Sequence, residues 1–204
     1  MSFLSINLSF AQTEKDSYEI YSSTINRLVE NWFDPPIEAI IVVERYSEKF
    51  KQDFSDIMDL TIEKIPKSTL SWYVRDSLLQ QRFLNDQNIK KVLRDLFANF
   101  NNHPKIKSEL LNVNGVEIHT LNSKKYHSYL NRGQKWRKNG WKRLENKYNS
   151  KFAIQFSKIS YQGNYASFYY EYLCGDLCAA GAIALMENAE GEWKVLKEFN
   201  LWES

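Results

Sequence analysis

The chain has little of what punctuates or cross-links a protein: two cysteines, four prolines and seven glycines in 204 residues. Two cysteines exclude a disulfide-built scaffold, and so little proline and glycine excludes a low-complexity or collagen-like chain. No apolar run reaches the ~20 residues needed to cross a bilayer as a helix. A net charge of +2 excludes attraction to polyanions by bulk charge alone. The sequence also lacks a Gly-x-Ser-x-Gly elbow, a His-Glu-x-x-His pair, a Walker A loop and a Gly-x-Gly-x-x-Gly turn. His103, His119 and His127 are scattered, and no pair has zinc-ligand spacing. Asp53, Asp56 and Asp59 recur every three residues, the pattern of a wet helix face. No metal and no cofactor is expected.

What is present is a globular composition, 43% hydrophobic and unusually aromatic at 15%, enough to bury a real core. The first twelve residues, MSFLSINLSFAQ, carry no charge, and Ser9-Phe10-Ala11 puts small residues at −3 and −1 of a cut before Gln12. That is the end of a signal peptide without its positive start, so residues 1–11 read as a signal-peptide remnant and 12–204 as one domain. The expected location is outside the cytoplasm, periplasmic or secreted. The alternative is a cytoplasmic protein with an apolar tail or first strand.

Periodicity organises the rest. Tyr21, Ile25, Leu28, Val29 and Trp32 fall at helical spacing over residues 17–33, with Ser17 as N-cap. Ile40 to Val43 is a β-branched run that suits a strand covered on both faces. Phe54, Ile57 and Met58 mark another stripe, and Val92, Leu93, Leu96, Phe97 and Phe100 give 88–101 an amphipathic face. Asn114-Gly115 predicts a hairpin between ELLNV and VEIHT. Residues 124–148 read as helix and loop. Four strands then follow, about 152–160, 164–174, 179–187 and 192–199, with turns at 161–164 and 188–191. Short connections make neighbours antiparallel. The fold class is α+β, with helices first and an antiparallel β-meander last; cystatin-like and nuclear-transport-factor-like folds are the nearest analogies.

Cys174 and Cys178 flank Gly175-Asp176-Leu177 between two strands. Fully extended, they would stand roughly 13 Å apart, too far to bridge. A turn at Gly175-Asp176 brings them within disulfide range, and an oxidising compartment permits a Cys174–Cys178 bond. Tyr170, Tyr172, Cys174, Asp176 and Cys178 are the candidate ligand-binding residues. Catalytic residues cannot be assigned by spacing; Glu171 among aromatics is a carboxyl whose pKa burial would raise.

The stretches GWKRLENKY, FSKIS and SFYYEYLCGDLCAAGAIALMENAEGEWKV, with the terminal LWES, resemble the carboxyl-terminal part of a family of uncharacterised, mostly exported bacterial proteins. YEIYSSTINRLVE and IIVVE are similar to that family's start. Relatives carry glycine where this chain has Ala179 or Ala180. The resemblance implies an α+β fold and export, and it implies no activity.

Residues 124–147 hold nine basic side chains and one acid, Glu145, interleaved with Tyr126, Tyr129, Trp136 and Trp141. Such a segment suits single-stranded nucleic acid or an anionic surface, through Lys135, Arg137 and Lys138. The favoured reading is a solvated helix whose Trp136 and Trp141 cover the sheet. The functional expectation is an exported domain that binds an unidentified ligand or protein partner without chemistry. The alternatives are a hydrolase with its pocket on the carboxyl-terminal sheet and a cytosolic nucleic-acid binder.

Overall fold

The structure, a computed structural model, describes residues 3–32, 37–44, 74–99, 103–130, 134–175 and 178–204. The stripe at Phe54, Ile57 and Met58, the aspartates at 53, 56 and 59, Phe100, Asp176 and Leu177 lie outside the described residues. The fold is α+β, with five described helices, mostly in the first part of the chain, and seven strands, parallel and antiparallel. No described helix is long and apolar enough to cross a membrane. The chain forms two compact units. The first takes Met1–Glu44, Lys105–Gln155 and Tyr172–Cys178; the second takes Arg45–Pro104, Phe156–Glu171 and Ala179–Ser204.

In the first unit, α1 runs from Phe3 to Trp32. Ser17 therefore lies inside the helix and is not its N-cap. The polar stretch Gln12 to Asp16 contains no glycine or proline that would stop a helix from extending through it. Ile20, Tyr21, Ile25 and Leu28 form its buried stripe. Strand β1 (Ala39–Val43) is buried at every position, as its unbroken apolar run requires. It is flanked by β2 (Glu117–Leu121) and β3 (Phe152–Phe156), both parallel to it, with Ile41 opposite His119 on one side and Ala153 on the other. Two helices, α4 (Ser123–Leu130) and α5 (Gln134–Tyr148), connect β2 to β3. Tyr126, Trp141 and Leu144 from these helices pack on Ile41, Val43, Leu121 and Ala153. Trp141 thus covers the sheet, as the solvated-helix reading of this segment holds. After α5, Asn149 takes a left-handed φ of 50°, which asparagine tolerates, and turns the chain into β3.

The hairpin expected at Asn114-Gly115 is not formed. The turn is there, with Gly115 at φ 69°, but the arm before it is a single 3-10 turn, Ser108–Leu110, and VEIHT pairs in parallel with β1. Side chains of α1 hold the arm instead. The Asn112 amide donates to Ser22 Oγ at 2.9 Å, the Asn114 amide donates to Asn26 Oδ1 at 3.1 Å, and Asn26 Nδ2 donates to the Asn112 carbonyl at 3.1 Å.

In the second unit, helix α3 (Gln87–Asn99) is built on the expected apolar face, and helix α2 (Ser77–Asn85) precedes it. Asp76 caps α2, accepting from the Leu79 amide at 2.8 Å. Ile89, Val92, Leu93 and Leu96 are fully buried against Tyr165, Tyr169, Ile183, Leu185 and Phe199. The strands are β4 (Ser160–Gln162), β5 (Tyr165–Leu173, its last two residues in the first unit), β6 (Ala179–Ala189) and β7 (Glu192–Glu203), in the order β5-β6-β7 with β4 on β5. The stretch expected as one strand over 152–160 is therefore two, β3 and β4. The first joins the parallel set because a helix, not a turn, leads into it. Glu190 and Gly191, both at positive φ (58° and 90°), make the β6–β7 turn, with the Gly191 amide donating to Asn188 Oδ1 at 3.0 Å.

Candidate functional site

Strand β5 is buried on both faces from Tyr165 to Tyr172, so its alternation decides what each aromatic touches. Tyr170 is 4% exposed and donates through its hydroxyl to Glu198 Oε1 at 2.7 Å. Tyr172, 7% exposed, stacks on Phe152 with ring centroids 5.7 Å apart. Of the residues expected to bind a ligand, the two tyrosines are therefore packed, and Asp176 lies outside the described residues. Cys174 and Cys178 are half-buried, with their sulfurs at disulfide distance and Cα atoms 5.0 Å apart. The Cys174 amide donates to the Cys178 carbonyl at 2.7 Å, and Gly175 at φ 108° takes a backbone conformation that a side chain would oppose.

One residue out of step with Tyr170 and Tyr172, Tyr169 and Glu171 of the second unit share the opposite face of the strand. Glu171 is 4% exposed, and burial pushes its carboxyl up to about 7, against the Tyr169 hydroxyl 3.3 Å away, which favours the ion. Trp202 Nε1 in turn donates to the Tyr169 hydroxyl at 2.9 Å. The Tyr169 phenol is raised above its ordinary value, by burial first and by the Glu171 charge second. Gly181 makes room for this arrangement: a Cβ there would run into the Trp202 indole and the Tyr169 hydroxyl. A carboxyl protonated near neutrality can act as an acid, provided a substrate reaches it.

A concave feature lies in the first unit, along α1. Tyr18, Ser22 and Asn26 succeed one another one helical turn apart and hold the 105–114 segment. This ladder, with Glu14 one turn before it, forms one wall of a cavity of about 600 Å³, lined also by Lys15, Glu19 and Ser23 of the next ridge and by Leu110 and Asn112. Glu14 closes an ion pair with Lys107 at 3.2 Å; Glu19 and Ser23 are exposed, and so is the Leu110 side chain at 44%. The lining offers hydroxyl, amide and carboxylate groups around one apolar contact. No nucleophile–base pair is among the described lining residues. Sequence reading missed this groove. The available signal was the recurrence of Ser22 and Asn26, polar at four-residue spacing, beside the buried apolar stripe.

The side chains of Lys135, Arg137 and Lys138, expected to meet an anionic surface, lie outside the described residues. No family model, no curated protein and no solved structure matches this chain.

Proposed function

We propose that the protein is an exported binding domain that holds a short polar ligand, a sugar or a peptide main chain, in the groove along α1 and performs no reaction on it. The observation carrying this is the groove's lining: hydrogen-bonding side chains and one exposed leucine, placed on a helix whose opposite stripe is buried. Export is supported by the uncharged start, by the resemblance to mostly exported proteins, and by two half-buried cysteines at disulfide distance.

Ser23 is exposed on the groove wall, so a large side chain fits there without disturbing the core. Screening oligosaccharides and short peptides by thermal shift should find a class that stabilises the protein. Ser23→Trp should melt like the parent without ligand and lose that stabilisation with it. A shift that survives in Ser23→Trp rules the groove out. For location, protein recovered from its native cell should begin at Gln12 and weigh two hydrogens less than its reduced form. Intact Met1 with two alkylatable thiols in the cytosolic fraction would refute export.

The hydrolase reading is favoured by one observation, the buried Glu171 carboxyl with its pKa near 7. A hydrolytic activity abolished by Glu171→Gln in a folded protein would replace the binding reading.

A further inference from the structure

Where α4 meets the end of α5, cations gather on two tyrosines without an acid among them. Lys125 Nζ lies 5.9 Å and Lys147 Nζ 5.5 Å from the centroid of the Tyr148 ring. Tyr129 packs edge-on to Tyr148 with centroids 6.2 Å apart. The Arg143 guanidinium lies 5.8 Å from the Tyr129 centroid and donates to the Tyr129 carbonyl at 2.7 Å, which fixes that tyrosine in place. The acids nearby are occupied: Glu145 pairs with Lys151 at 2.9 Å, and Glu117 is 3.5 Å from His119 Nε2. His119 itself contacts the Tyr148 ring at 5.1 Å. Neither Lys125 nor Lys147 has a carboxylate partner among the described residues, and both are exposed. A basic residue in the last turn of α5 is explained by the helix dipole, which accounts for Lys147. It does not account for Lys125, brought to the same ring from another helix at a like-charge cost.

We propose that Lys125, Lys147 and the Tyr129 hydroxyl form a binding site for a phosphate monoester dianion. A dianion with three terminal oxygens takes charged and hydroxyl donors together, and lysine serves as a point charge for it. The field at the site is positive. Burial raises the Tyr148 phenol, yet the Tyr129 hydroxyl and the charges of Lys125 and Lys147 outweigh it and hold the phenol below its ordinary value. The site is independent of the groove along α1, so either can fail without the other.

The test is calorimetric titration of the full chain with glycerol 3-phosphate and with inorganic phosphate at low salt. Saturable binding is expected, weakened about tenfold or more in Lys125→Gln/Lys147→Gln and several-fold in Tyr129→Phe, where only a hydroxyl is lost. A charge-matched control, Lys158→Gln/Lys194→Gln, removes two exposed lysines elsewhere and should bind as the parent does. Vesicles containing phosphatidic acid separate the two sources of the group. Capture that free glycerol 3-phosphate displaces identifies a lipid headgroup; titration without vesicle capture identifies a free ester. No saturable binding, equal weakening in the control pair, or capture of vesicles or single-stranded DNA that the ester does not displace would overturn the site.

Discussion

Glu171→Gln will be more stable than the parent protein at pH 8 and equally stable near pH 4. The folded carboxyl titrates at about 7, the free one at 4.5. Between those values the folded state holds a proton that the unfolded state has released. Parent stability therefore falls as pH rises from about 4.5 through about 7, and it is flat beyond. The gap between the two values sets the penalty at pH 8 at about 3 kcal/mol, which the neutral amide removes. Burial drives this shift, and the Tyr169 hydroxyl only moderates it, so replacing the hydroxyl by Tyr169→Phe should carry the decline to higher pH rather than abolish it. Denaturant unfolding across pH 4–8 checks it. A parent profile without that decline, or a variant that shares it, would show that the carboxyl reaches water.

The second large effect is expected at Gly181. Its partner across the β6–β7 ladder is Trp202, and the indole and the Tyr169 hydroxyl fill the space a side chain would take. Gly181→Ala should cost about 1–3 kcal/mol by overpacking, and about 1 kcal/mol more if the Trp202–Tyr169 hydrogen bond parts. The urea midpoint should drop with an unchanged slope. In a Trp202→Phe background the ring is smaller and donates no hydrogen bond, so the same alanine should cost distinctly less. Equal costs in both backgrounds would place the clash elsewhere.

Legibility in the sequence followed how local each cause was. The β1 run and the α3 stripe depend only on their own residues, and both stand where periodicity put them. The β6–β7 turn was readable because Gly191 and its neighbours carry their own turn chemistry. The parallel pairing of β2 and β3 with β1 was not, because a strand's partner is chosen by distant contacts. Asn114-Gly115 was a true turn attached to a false arm: the backbone of Asn112 and Asn114 is held by Ser22 and Asn26 of α1, some ninety residues away in sequence. The candidate sites divide the same way. The Cys174–Cys178 approach is a four-residue matter and was legible. The groove and the Lys125–Lys147 pairing need helices to meet, which no local pattern announces.

The alternation of the chain between its two units bears on how the molecule is made. The first unit is incomplete until Tyr172–Cys178 has been synthesised, and the second until the β6–β7 ladder has. Neither can close while the ribosome is still early in the message, so nascent chain must wait with apolar segments such as β1 uncovered. Pairings that wait for distant partners are slow to form. A polypeptide that stays open this long keeps apolar surface exposed until its last strands arrive.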